Sequence, residues 1–174
     1  MSRRAVIFHG TGGSPAYCWY GWLGDQLTAR GYQVQVPHHP GINTEPIDTF
    51  LPKVLAAHTF DENTVLVGHS GGAALLLALL EQLEVTVPQA ILVAGYSTPP
   101  SADEAEPVLQ AEYDWDRIRS HVRDIYFLNS VRDPYGCDDR QGRKLFDRLG
   151  GTQIIRPEGH FETATLDLVD RLIP

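Results

Sequence analysis

Cysteine is nearly missing from this chain: Cys18 and Cys137 are the only two among 174 residues, and no CxxC pair occurs. That excludes a disulfide framework and a cysteine-based zinc site, and it fits a reducing, cytoplasmic setting. No apolar run approaches a membrane span. Behind Met1-Ser2-Arg3-Arg4 the apolar stretch runs only from Ala5 to Phe8, too short for a signal peptide. Positive charge is also in deficit. Fourteen Lys and Arg face 22 Asp and Glu, a net charge of -8, and no basic stripe is present. Nucleic acid and anionic membranes are therefore not expected partners. His38-His39 offers two adjacent ligands without a third nearby, which reads as a surface loop. No metal and no other cofactor is expected.

Apolar residues, by contrast, make up 43% of the chain, enough for a substantial core. They fall in short strand-like runs: Ala5–Phe8, Gln33–Val36, Thr64–Val67, Ala90–Ala94, Asp124–Leu128 and Thr152–Ile155. Helical patterns alternate with them. Ala16–Arg30 has Ser14 as a possible cap and Gly31 as a stop. The others are about Pro52–His58, where prolines interrupt the connection, then Gly71–Leu83, Arg140–Leu149 and Leu166–Ile173. Tyr96–Arg117 is the least regular stretch. Buried strands alternating with helices predict one α/β domain over residues 1–174, a three-layer α/β/α sandwich with a doubly wound six-stranded parallel sheet. With strand order 2-1-3-4-5-6, the loops after the first and third strands open into the same crevice.

Those two loops carry the chemistry. Gly68-His69-Ser70-Gly71-Gly72 joins the third strand to a helix, the context of a nucleophile elbow. Glycines two before and two after Ser70 allow strand and helix to approach. Attack by Ser70 on a carbonyl creates an oxyanion, for which two N–H donors are needed, each worth about 3–4 kcal/mol. Gly71 supplies one. Thr11, in His9-Gly10-Thr11-Gly12-Gly13-Ser14, is the expected second, with Gly10 as the alternative. The loop is not a dinucleotide turn, because Pro15 stands where glycine is needed, and it lacks the Gly-Lys-Ser/Thr of a phosphate loop. The base should follow the last strand: His160, in Glu158-Gly159-His160-Phe161. The orienting acid should follow the fifth: Asp133, held in a turn by Pro134. Asp138 and Asp139 adjoin Arg140 and read as a helix N-terminal pair. Expected substrate contacts are Gly10, His9, which also braces the oxyanion loop, His69 in the variable elbow position, and Tyr17, Trp19 and Phe161 flanking the crevice. His58 is expected at a solvated helix end.

Assembled in order, His9–Pro15, Cys18–Trp22, Thr49–Pro52, Val67–Gly72, Leu92–Tyr96, Asp114–Ile118, Ser130–Pro134 and Gly159–Phe161 give a chain that resembles the small serine hydrolases of the retinoblastoma-binding protein 9 family, a compact branch of the α/β-hydrolase superfamily. The resemblance implies a Ser70–Asp133–His160 triad, little or no lid, and hydrolysis of small esters or amides. Arg132 and Tyr135-Gly136-Cys137 depart from its pattern. No Leu-x-Cys-x-Glu segment occurs, so no retinoblastoma link is carried over. Because Tyr96–Arg117 is acidic and Pro-rich, it makes a poor greasy cover, and short acyl esters are the expected substrates. An amidase or aminopeptidase-like activity is the enzymatic alternative, and a non-catalytic ligand- or protein-binding role is the other.

Overall fold

The β-branched and aliphatic runs form the strands of one sheet. The computed structural model describes all residues from Met1 to Pro174. The strands are β1 (Arg4–Phe8), β2 (Gln33–Gln35), β3 (Thr64–His69), β4 (Val87–Val93), β5 (Val122–Ser130) and β6 (Thr152–Arg156). All pairings are parallel, in the order β2-β1-β3-β4-β5-β6. Every residue of β3 is buried, whereas the edge strands β2 and β6 are largely exposed. This is the continuous apolar signature of central strands covered on both faces.

The helices are α1 (Tyr20–Ala29), α2 (Ile47–Ala57), α3 (Gly71–Gln82), α4 (Trp115–Ser120), α5 (Asp139–Leu149) and α6 (Asp167–Leu172). α1 packs on α6, while α2, α3, α4 and α5 touch in series, which gives the three layers. α3 is apolar all round and buried from Gly71 through Leu80, as befits the central helix.

Three helices depart from the sequence reading by more than a residue or two. α1 begins at Tyr20, not Ala16, and Ser14 does not cap it, because Cys18 adopts a left-handed backbone with φ 52° that a helix excludes. α2 starts at Ile47 and carries Pro52 inside it. The buried face of Ile47, Phe50, Leu51 and Val54 offsets the hydrogen bond that proline forfeits. α4 lies at the end of the stretch read as irregular. Its cap is Asp114, whose Oδ1 accepts from the Arg117 N–H at 3.0 Å.

Candidate active site

Ser70 occupies a bend that few residues adopt. Its φ is 56° and ψ -119°, and its N–H donates to the Val93 carbonyl at 2.8 Å. The bend survives because the flanking glycines let β3 and α3 close up. A Cβ at Gly68 would lie 2.5 Å from the Gly72 carbonyl oxygen, and one at Gly72 would collide with the His9 carbonyl. Strain held at one residue by such packing is a mark of functional sites.

Asp133 and His160 reach the same sheet end from the loops after β5 and β6. His160 Nδ1 lies 2.6 Å from Asp133 Oδ2, and Asp133 Oδ1 accepts from the Tyr135 N–H at 2.9 Å. The Asp133 side chain is fully buried and that of His160 is 7% exposed, so this contact is shielded from water. The Tyr135 ring packs edge-on against His160, with centroids 4.6 Å apart. His160 and Ser70 line one cleft, although no hydrogen bond joins their side chains.

His69 is built into the scaffold. Its ring is buried, with Nε2 donating to the His160 carbonyl at 2.7 Å and Nδ1 accepting from the Tyr20 hydroxyl at 2.6 Å. The Gly10 N–H donates to the same hydroxyl at 3.3 Å. Burial, reinforced by the neighbouring His160, pushes the His69 pKa down to about 3, so the imidazole is neutral. The ring reaches the cleft, but both nitrogens are spent on holding the loops. His9 is similar. Nδ1 donates to the Gly10 carbonyl at 2.7 Å and Nε2 accepts from the His39 N–H at 3.0 Å. It braces the loop, is almost wholly buried and does not line the cleft, which corrects its expected contact role.

Trp19 and Phe161 correct the sequence reading further. Neither flanks the crevice: they are 0% and 2% exposed, and Trp19 Nε1 donates to the Phe161 carbonyl at 3.0 Å. The backbone is left-handed at Phe161 itself and at Cys18, the residue before Trp19. Tyr17, half exposed, does line the cleft, as do Gly10 and Thr11. His58 does stand at the end of α2, but it is less solvated than expected. It is half-buried, with Nε2 2.8 Å from His39 Nε2 and Nδ1 2.8 Å from Gln35 Oε1.

The cleft on the Tyr17 side measures about 320 Å³. A second cavity of about 260 Å³ opens on the other side of Ser70, walled by Asn43, Tyr96, Glu106, Tyr135 and Cys137. Sequence reading gave none of these wall residues a place in the site, because they come from separate loops that only folding brings together. Gly71 and Thr11 meet between the cavities, where a Cβ on Gly71 would lie 2.5 Å from Thr11 Oγ1. The Thr11 N–H engages no acceptor within the protein. The Gly71 N–H belongs to the first turn of α3, where helical donors lack internal partners. Asp138 caps α5 by accepting from the N–H groups of Arg140 and Gln141, at 3.0 and 3.4 Å, which sets it apart from Asp133, whose carboxylate meets His160. Asp133, Cys137 and His160 have ligand atoms within 4.8 Å of one another, a compact grouping that sequence spacing did not disclose. Its carboxylate and imidazole are already joined to each other, and burial pushes the Cys137 thiol pKa up, away from the thiolate a metal requires.

A strained serine elbow at the centre of a parallel sheet thus shares its cleft with a carboxylate–imidazole pair. The profile of the family described as "Alpha/beta hydrolase family" matches residues 5–171. The chain belongs to this family. Among α/β hydrolases it is similar to Serine hydrolase RBBP9 of Rattus norvegicus, 26% identical over 98% of this chain and 93% of that protein. It is also similar to the putative hydrolase YdeN of Bacillus subtilis (strain 168), 30% identical over 68% of this chain and 64% of that one. The crystal structure of the B. subtilis ydeN gene product superposes with a TM-score of 0.89 at 25% identity, covering 99% of this chain and 97% of the other. Est1E from Butyrivibrio proteoclasticus, bound to ferulic acid, shares the fold at TM-score 0.72 and 12% identity, over 98% and 86% of the two chains. As a compact member of this family, the chain is a hydrolase. None of its helices is long and apolar enough to cross a membrane.

Proposed function

We propose that this hydrolase is a serine esterase that cleaves short-acyl carboxylic esters through an acyl-enzyme on Ser70. The observation that carries the reading is the buried 2.6 Å contact between His160 and Asp133 beside the cleft that Ser70 lines. Asp133 fixes the imidazole with its proton on Nδ1, leaving Nε2 free to accept the Ser70 proton. Ser70 Oγ then attacks the ester carbonyl, and the N–H groups of Thr11 and Gly71 hold the oxyanion. His160 returns the proton to the leaving alkoxide. Water repeats the cycle on the acyl-enzyme with His160 as its base, freeing the acid and Ser70. The preference for short chains rests on the walls of both cavities, which are rich in hydroxyl, carboxylate and backbone groups. A long acyl chain needs apolar cover, at about 0.8 kcal/mol per buried CH₂.

The test joins labelling to turnover. A fluorophosphonate should label the wild type and fail on Ser70→Ala. Along p-nitrophenyl esters from acetate to palmitate, kcat/KM should be highest for the short chains. Equal labelling of the two proteins removes Ser70 as nucleophile; a steady rise toward palmitate removes the short-acyl preference.

A further inference from the structure

Asn43 stands outside every motif the sequence displays, yet it touches three parts of the site. It is buried in a left-handed backbone with φ 57°, a conformation that asparagine tolerates better than most residues with a side chain. Its carboxamide is fully engaged. Oδ1 accepts from the Val108 N–H at 3.1 Å, while Nδ2 donates to Thr11 Oγ1 at 3.1 Å and to Glu106 Oε2 at 2.7 Å, with the Tyr96 hydroxyl 3.5 Å away. Tyr96 in turn donates to Glu106 Oε2 at 2.5 Å, which fixes the carboxylate that Asn43 grips. Its Cβ also abuts the elbow, 3.3 Å from where a Cβ on Gly71 would lie.

The far end of this chain of contacts is Thr11. It is exposed, and Gly10, Gly12 and Gly13 around it give the loop little stiffness of its own. Asn43 Nδ2, at 3.1 Å, is the donor that tethers the Thr11 hydroxyl from outside the loop. An oxyanion donor works by being aimed in advance, so a donor on a glycine loop needs an outside anchor.

From this geometry we propose that Asn43 is a positioning residue. It clamps Thr11 against Gly71 and so holds the oxyanion hole formed, using the Glu106–Tyr96 pair as its fixed point. The inference rests on the serine-esterase reading and adds to it a residue that never touches substrate.

Asn43→Gly keeps the left-handed backbone available and removes the carboxamide. Losing an oxyanion donor outright typically costs about 10²–10³ in kcat, and a donor that is only loosened should cost less, about tenfold. kcat per fluorophosphonate-titrated site should therefore fall about tenfold, with KM for a short ester unchanged. A trifluoromethyl ketone supplies the second readout. Ser70 Oγ adds to its carbonyl, the serine proton passes to His160, and the resulting alkoxide lies in the hole. Its Ki should rise in step with the fall in kcat/KM. Asn43→Asp should be as poor, since it removes the donor and sets a carboxylate against Glu106. Adding Glu106→Gln to Asn43→Asp restores a donor–acceptor pair and should recover part of kcat. The proposal is overturned if kcat per titrated site and the ketone Ki stay within twofold of wild type in Asn43→Gly, or if the double variant is no better than Asn43→Asp. Failure of the parent reading has a separate signature, equal labelling of wild type and Ser70→Ala.

Discussion

On the proposed assignment, two aspartates five positions apart have opposite duties, and their surroundings decide which is which. Asp133 has a fully buried side chain with one oxygen on His160 and the other on a backbone N–H. Asp138 spends its oxygens on the first turn of α5 and on Arg140, which hold its pKa down against the opposing effect of burial. Asp133→Asn should thus leave the fold intact but offer His160 an amide in place of a carboxylate, lowering kcat by about 10⁴ by analogy with other triads. Asp138→Asn should cost little, because asparagine caps helices about as well as aspartate. Steady-state kinetics of the two variants checks the assignment: a severe loss in Asp138→Asn with a mild one in Asp133→Asn reverses it. Both aspartates were legible in the sequence from their distance to the end of β5. The burial of Trp19 and Phe161 was not, because it comes with left-handed backbones at Cys18 and Phe161, two residue types that give no hint of positive φ. Asn43 was hidden for another reason: its partners lie 32, 63 and 65 positions away.

Among the elements, β3 and α3 carry the heaviest constraint, since the backbone of one meets the backbone of the other at the elbow. Gly72→Ala puts a methyl group against the carbonyls of Phe8 and His9, neither of which is a flexible side chain. Overpacking of this kind costs about 3 kcal/mol. Urea unfolding should register it as a lower midpoint at unchanged slope. Gly21→Ala, on the exposed side of α1 with its nearest neighbour at 3.8 Å, should instead hold or raise the midpoint. If Gly72→Ala is as stable as Gly21→Ala, the elbow does not depend on close approach. The strands and their order could be read from sequence because each apolar run is short, bounded and separated by a helical pattern. Helix limits were harder. Pro52 argues locally for a break, and only the packing of Ile47, Phe50 and Leu51 overrides it.

The molecule as a whole stores neutral histidine. His9, His39, His58 and His69 all have pKa values lowered, in each case chiefly by burial. The unfolded chain takes up protons on these rings near pH 6.5, while the folded chain resists doing so. The unfolded state therefore binds more protons, and stability must fall as pH drops below 6.5. Each ring still neutral in the fold contributes about 1.4 kcal/mol per pH unit to that slope. His69 extends the window furthest, down to about pH 3. Thermal melts should show Tm steady above pH 7 and declining from pH 6.5 to 4, and less steeply in His69→Gln. A Tm indifferent to pH across that range would mean that these rings are protonated in the fold.

The hydrogen bond from Trp19 to the Phe161 carbonyl joins residues 142 positions apart, next to His160. During synthesis, Thr11, Ser70 and Asp133 leave the ribosome before His160 does. A growing chain can thus assemble a nucleophile, an acid and the loops of an oxyanion hole and still lack a base. On the proposed assignment, hydrolysis begins only after β6 has paired with β5 and Phe161 has seated on Trp19. Folding of the last strand and the onset of activity are then a single event, and a partly made chain is chemically silent.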